Sequence, residues 1–384
     1  MNLQRMMAVA IKEWREIVRD RLFFALAFIV PALLMLLFGY GLSLDVENIP
    51  VAIVDQDRSA LSREYAHRFI DSRYFDFKGM ALDDRPLAPL LTDSKLRAVI
   101  VIPEHFARDL LAGRPAHVQT QIDGTFPFRA AITKGYVTAI NSAFSLESLA
   151  GSISQARGIS QAEVMAQLQP VRLEVRFLYN QSVKSIWSLA PKLIMAILMI
   201  SPPFLTALGV VREKESGAIY NIYASTVSRG EFLVGKILPY VLISSINVVV
   251  LWLLATVVFG TPFKGSFVFF MLASLLYVTC TTGIGLIVSV LVKTQVAAMI
   301  GTAILTIVPA VLYSGVLIPI SSLSDMASVV AHGLPGMYYA DIVVGSFLKG
   351  VGLQALWRDV LALAAYALVL FAIGYTMFSK RPNT

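Results

Sequence analysis

Cysteine, histidine pairs and charge are all scarce in this sequence, and each shortage closes off a class of function. The single cysteine, Cys280, lies inside an apolar run, so the chain holds no internal disulfide and no cysteine metal cluster. His67, His105, His117 and His332 are scattered with no i, i+4 pair, which argues against a metal site. Only 15% of the 384 residues are charged, against about 25% in soluble domains. Hydrophobic residues make up 57%, and mean hydropathy is +0.70. A soluble chain of this length cannot hide so much apolar surface. The net charge of +7 comes with no basic run and no aromatic-basic interleaving, so nucleic acid is not an expected partner. Basic loops facing anionic lipid headgroups account for it.

The apolar runs predict six membrane spans, at 22–42, 193–211, 237–259, 267–292, 296–318 and 360–378. The first, at 1.5 Å per residue, reaches about 32 Å, enough for the hydrocarbon core. Drawn this way the spans also lack charge: Lys192, Lys236, Lys293, Arg358 and Asp359 fall at their ends. Ion-coupled pumps ordinarily carry intramembrane carboxylates or histidines. The shortage argues against an ion-coupled secondary transporter, which stays as the alternative because backbone carbonyls can hold Na⁺. A receptor anchored by these spans ranks lower, since an anchor needs fewer. Pro31 is tolerable in its span, whereas Pro202-Pro203 predicts a kink or break.

Before the first span, residues 3–20 repeat at helical spacing. Leu3, Met6, Met7, Ala10, Ile11, Trp14, Ile17 and Val18 share one face; Arg5, Lys12, Glu13, Arg15, Glu16, Arg19 and Asp20 share the other, with Val9 the exception. Such a helix lies in the membrane interface. After the first span the texture becomes that of a soluble α/β domain. Buried strands are predicted at 51–54 and 98–102, half-exposed ones at 117–122 and 171–175, and helices at 59–70, 87–91, 105–111 and 128–155. Asp55, Asp57 and Asp123 sit at strand ends, where turn capping is the expected role. Between the last two spans, residues 319–358 are too apolar for an ordinary loop and too rich in glycine and proline to span. Short helices dipping into the outer leaflet fit them.

Lysine and arginine orient the chain. With the N-terminus inside, Arg5, Lys12, Arg15, Arg19, Arg21, Arg212, Lys214, Arg229, Lys236, Lys293, Lys380 and Arg381 are cytoplasmic, against Lys264, Lys349 and Arg358 outside. Both termini are then cytoplasmic and the α/β domain external. Trp14 falls at the inner interface and Trp187 and Trp357 at the outer one.

One stretch imitates a nucleotide site. Gly230-Glu-Phe-Leu-Val-Gly-Lys236-Ile237 has the phosphate-loop spacing, but Ile237 offers no hydroxyl to Mg²⁺ and no strand precedes it. Lys236 is expected to snorkel at the inner interface, and Gly235 to permit close packing. Just upstream, between two apolar runs, 211–223 reads VREKESGAIYNIY, a dense charge cluster that must lie near water.

These features together resemble the ABC-2-type permeases, the membrane half of ATP-binding-cassette exporters. The resemblance rests on the amphipathic start, the external domain opening Val51-Ala-Ile-Val-Asp-Gln-Asp-Arg-Ser59, Arg212-Glu-Lys-Glu-Ser-Gly217, Glu231-Phe-Leu-Val-Gly-Lys-Ile-Leu-Pro-Tyr240, and Phe347-Leu-Lys-Gly350. Asp123-Gly-Thr and Tyr179-Asn-Gln also match, although many relatives have Pro where Gln181 stands. It implies an α-helical polytopic membrane protein of six transmembrane helices, with an N-terminal interfacial helix (1–21), span 1 (22–42), an inserted extracytoplasmic α/β domain (43–186) and the remaining spans (187–384). It implies a cytoplasmic coupling segment within 212–236, with Arg212, Glu213, Lys214, Glu215, Ser216 and Gly217 seated on the ATPase. Arg5, Lys12, Trp14, Arg15 and Arg19 of the interfacial helix would make the second contact. No cofactor is expected on this chain; ATP and Mg²⁺ would bind a partner ATPase. A second permease copy or paralogue, a periplasmic adaptor and membrane lipid are the other implied partners. Drug or lipophile efflux across the inner membrane of a Gram-negative cell is the implied function, with no substrate-binding residue assigned.

Overall fold

The computed structural model describes residues 2–42, 45–83, 85–171, 173–218, 227–313, 315, 322 and 324–377. The chain divides into two compact units, 45–175 and the remainder. The interfacial helix α1 (Leu3–Arg19) is capped by Asn2, whose side chain accepts from Gln4 N. Asp20 ends it and caps span helix α2 (Arg21–Gly41) through Leu22 N and Phe23 N.

α2 contains a π-helical turn, Ala25–Ile29, just before Pro31. Pro31 has no N–H, so the Ala27 carbonyl loses its helical donor. A side chain from another span supplies the missing bond: Asn247 Nδ2 donates to Ala27 O at 2.6 Å, both groups buried. We expect Asn247→Leu to cost about 0.5–1.5 kcal/mol, the range for interhelical hydrogen bonds in membranes. Thermal unfolding in detergent should show the loss shrinking when Pro31→Ala restores the backbone donor. Equal losses in both backgrounds would mean the bond is not what stabilises this site.

In the unit 45–175, β1 (Ile49–Asp55) leads to α3 (Ala60–Ile70), β2 (Phe75–Ala81), α4 (Ala88–Thr92), β3 (Ala98–Ile102), α5 (Phe106–Leu111), β4 (Gln119–Ile122), α6 (Pro127–Arg157) and α7 (Gln161–Leu168). The sheet order is β2-β1-β3-β4, with β1 parallel to β2 and β3, and β4 antiparallel to β3. β1 and β3 are covered on both faces, as their β-branched runs require. Val51, Ile53 and Ile100 pack with Tyr65, Phe69, Phe106 and Phe144 on one side; Ala52, Val54, Val99 and Val101 pack with Leu87 and Leu96 on the other. The strand-end carboxylates do cap turns. Asp55 accepts from the backbone of Asp57 and Arg58 and from the Ser62 hydroxyl. Asp57 accepts from Ala107 N, and Asp123 accepts from Thr125 N while pairing with Arg97.

Three expectations fail in this unit. β2 and α7 go unpredicted, because Lys78 and Gly79 interrupt the strand pattern and α7 is short. The strand expected at 171–175 is absent: Val171 and residues 173–175 carry no secondary structure. Its alternation is real, but no sheet receives it in this chain.

In the other unit the span helices are α8 (Ser185–Glu215), α9 (Arg229–Val258, ending in a π turn), α10 (Phe267–Leu291), α11 (Gln295–Leu312) and, after two short helices, α14 (Leu353–Met377). With α2 they make six candidate membrane helices. α8 is the hub: 83% of its most apolar stretch is buried, against 22% for α2 and α11 and 11% for α14. The outer helices therefore present apolar surface such as Leu33, Leu37, Ile300, Ile304, Leu361 and Leu368 outward. The expected break at Pro202-Pro203 is not there; α8 runs continuously through both prolines. The Thr206 hydroxyl donates to Pro202 O, and Gly285 lets the α10 backbone pass beside Pro203, where a Cβ would sit 2.7 Å from its Cα. Neighbouring helices thus hold the step, as membrane packing permits.

Residues 319–358 do form short helices, α12 (Asp325–His332) and α13 (Pro335–Val344). α13 is pinned by Tyr339, whose ring stacks on Tyr277 at 4.0 Å and whose hydroxyl lies 2.6 Å from that of Ser274.

Candidate functional site

The site is assembled where α1 lies along α9 and the last turns of α8. Both helix starts are tied together. Ser228 and Glu231 form a reciprocal capping box at the head of α9, and Asn2 N donates to Glu231 Oε1 at 2.5 Å. One turn further, a Cβ at Gly235 would meet the Met6 carbonyl oxygen at 2.7 Å and Val9 Cβ at 3.0 Å. Only glycine allows the two backbones to approach so closely. The expected packing role of Gly235 is therefore observed. It also explains Val9, the lone apolar residue on the charged side of α1.

This close approach buries a chain of charges. Lys236 does not snorkel: it is 0% exposed, with Nζ 2.5 Å from Glu13 Oε2 and 2.8 Å from Glu213 Oε2. Glu13, expected on the solvated face, is 2% exposed and also accepts from the Tyr240 hydroxyl. Glu213 is 5% exposed and is bridged at 2.6 Å by Lys12 from the half-exposed rim. Two carboxylates and two ammoniums balance in charge, which is how charged groups tolerate burial. Burial raises the Glu13 carboxyl above its usual range; Lys236 opposes the shift and the nearby Glu213 adds to it. Glu13, Glu16 and Glu213 bring carboxylate oxygens within 4.8 Å of one another, but Lys236 and Lys12 already neutralise them. A divalent cation would have to displace those ammoniums.

The charges of 212–215 each reach a different element. Arg212 pairs with Asp20 at 2.5 Å and lies over the Phe23 ring. Glu213 holds α1. Lys214 donates to the carbonyls of Ser289 and Val290 at the end of α10, the favoured place for a cation. Glu215 accepts from Gln295 Nε2 at 2.6 Å, at the start of α11. Ser216 caps α8 and Gly217 follows with φ +74°. The expected connector is thus, at this end, the last turn of a span helix. Residues 219–226, with Ile219 to Tyr223 of the original stretch, lie outside the described residues. The helices continue past the drawn span ends, so Lys192, Glu213 and Lys236 sit inside them; Lys192 donates to Gly315 O at 2.7 Å.

α1 consequently has three faces. Met6, Ala10, Glu13 and Ile17 turn to the bundle; Leu3, Met7, Ile11, Trp14 and Val18 stay exposed as an apolar stripe; Arg15, Glu16 and Arg19 lie on the polar side, with Arg5 and Lys12. Beside the polar face runs an open groove of about 700 Å³ lined by Ala8, Ile11, Lys12, Arg15, Glu16, Arg19, Asp20 and Arg212. It unites residues of the interfacial helix with Arg212 of the second segment. Sequence reasoning missed Glu13, Lys236 and Tyr240; the signals available were Val9 breaking the charged face and a glycine immediately before a lysine.

Comparison with known proteins extends along the same chain. The sequence model of the ABC-2 family transporter proteins matches residues 21–376. Similar curated proteins include "Probable multidrug ABC transporter permease YbhS" of Escherichia coli K12, 26% identical over 99% of this chain and 98% of its own length. "Probable multidrug ABC transporter permease YbhR" of the same strain is 24% identical over 96% and 97%. "Inner membrane transport permease YhhJ", also of that strain, is 24% identical over 100% and 99%. With the six candidate span helices and the full-length match together, the chain belongs to the ABC-2 family of transporter membrane proteins.

Proposed function

We propose that this chain is the permease subunit of an ATP-driven exporter. It moves an amphipathic or hydrophobic small molecule, drug-like or lipid-like, out across the inner membrane. It is a transport subunit and not an enzyme; the family places ATP hydrolysis on a partner ATPase. ATP and Mg²⁺ bind that partner. The observation that carries the reading is the buried Glu13–Lys236–Glu213 clamp beneath the basic groove. A body pressing on α1 and Arg212 meets α8 and α9 as one piece, and through Lys214 and Glu215 it reaches α10 and α11. That is the arrangement a coupling surface needs, and the engagement of Lys236 with two carboxylates leaves it unavailable to phosphate.

In this reading Arg212, Glu213, Lys214, Glu215, Ser216 and Gly217 form the coupling end of α8. Arg5, Lys12, Arg15 and Arg19 meet the ATPase while Trp14 rests in the lipid interface. Both termini are cytoplasmic, the α/β unit faces the periplasm and engages an adaptor protein, and two permease chains pair around the pathway.

The combined variant Arg15→Glu/Arg19→Glu reverses two exposed charges of the groove without touching the buried clamp. Expected is loss of ATPase co-purification and at least a tenfold fall in ATP-dependent efflux, with thermal stability unchanged. Retained ATPase and normal efflux would remove the groove from the coupling surface. Transport by vesicles given an ion gradient but no ATP would instead favour an ion-coupled transporter.

A further inference from the structure

Residues 171–177 read Val-Arg-Leu-Glu-Val-Arg-Phe, with an apolar side chain at every second position. That is the period of a strand with one covered face. In the structure the segment joins no sheet among the described residues. Val171, Leu173, Val175 and Phe177 are 85%, 87%, 63% and 54% exposed. A lone exposed leucine needs no explanation, but four in strand register form a row that a sheet partner would cover.

The α/β unit offers two sheet edges, and they differ. Edge strand β2 is guarded: Lys78 and Asp76 pair at 2.5 Å beside it, and Gly79 (φ +151°) sits where the β1–β2 register shifts. Charge and a bulge are the devices that keep strangers off an edge. β4 has neither. It reads Gln119-Thr-Gln-Ile122, without charge, proline or glycine, and its recorded ladder runs to β3 on one side only. One chain therefore holds a strand without a sheet and an edge without a guard, and leaves both unmatched.

We propose that the 171–177 segment of each permease copy adds as a fifth strand to the β4 edge of a second copy. The exchange is reciprocal. A second copy presents the same strand and the same edge, so a two-fold pairing satisfies both at once and closes the assembly. Main-chain bonds supply the affinity, and the alternate apolar side chains select the face. The inference rests on the reading that two copies of the permease pair.

The test uses full-length chains in a Cys280→Ala background. One tagged copy carries Leu173→Cys; a differently tagged copy carries Thr120→Cys or Gln121→Cys, one for each side of the strand. After a short bismaleimide, a species of twice the 42.0 kDa chain mass carrying both tags is expected. Lys78→Cys on the β2 edge should give none. Maleimide labelling of Leu173→Cys should fall at least fivefold in the dimer. A dimeric preparation with no mixed species, or linkage only when both cysteines share a chain, overturns the exchange while leaving pairing intact. Protection of Leu173→Cys only on reconstitution into liposomes would assign the segment to lipid and overturn it too. A chain that stays monomeric by light scattering overturns both readings.

Discussion

Lys236→Met should be among the most damaging single substitutions in this protein. Methionine matches the stem of lysine but leaves Glu13 and Glu213 facing each other, both nearly without solvent. Removing one partner of a buried ion pair costs about 3–5 kcal/mol, because the remaining charge is neither hydrated nor paired. Here two carboxylates are stranded, although Lys12 still reaches Glu213 from the rim and Tyr240 still donates to Glu13. Thermal unfolding in detergent should show the loss. The triple variant Lys236→Met/Glu13→Gln/Glu213→Gln should recover most of it, since all three sites are then uncharged. If the single variant is as stable as the parent, the clamp is not a stabilising element. If the triple variant is no better than the single one, packing of the lysine stem rather than charge is responsible. Efflux measured on the triple variant separates shape from charge. A stable chain that binds the ATPase but no longer transports would show that the ionic contacts themselves carry the coupling.

Gly235→Val should detach the interfacial helix without altering any charge. The new Cβ falls 2.7 Å from the Met6 carbonyl oxygen and 3.0 Å from Val9 Cβ. The first of these is backbone, so no change of side-chain rotamer relieves it. Overpacking of this kind costs about 1–3 kcal/mol, and the cheapest relief is for α1 to move away from α9. Ala10, 6% exposed, reports the movement. With Cys280 removed, a cysteine at position 10 should resist maleimide in the parent and label readily in Gly235→Val. Equal resistance in both would mean that α1 adjusts in place. Because α1 also carries Arg15 and Arg19, the same variant should lose ATP-dependent transport in parallel with labelling.

Much of this architecture was legible because the apolar runs of a membrane protein are long. The six runs appear in the structure as six candidate span helices, and Ser59 and Asp57 mark the helix start and turn after β1. The ends were not legible. Hydropathy counts Lys192, Glu213 and Lys236 as water-seeking, yet each is met inside the fold by a group far away in sequence, such as Glu13 for Lys236. Only tertiary contact neutralises them, so a one-dimensional reading stops short. The double proline misled for a related reason: its consequence depends on Thr206 and Gly285. The candidate site was half legible. The charge cluster at 212–215 and the basic side of α1 were plain, whereas their joining through Glu13 was concealed by a glutamate that looks solvated. At 171–175 the strand pattern is clear and the sheet is missing, which no local rule can report.

The continuity of α8 through its two prolines has a mechanical consequence. Thirty-one residues at 1.5 Å each make a rod of about 46 Å, longer than the roughly 30 Å hydrocarbon core. A hinge at Pro202-Pro203 would absorb movement at the lower end. A stiff rod instead works as a lever: tilting by about 5° carries its far end through about 4 Å, close to the width of an acyl chain. Small displacements beneath the membrane would then reach the opposite face undiminished.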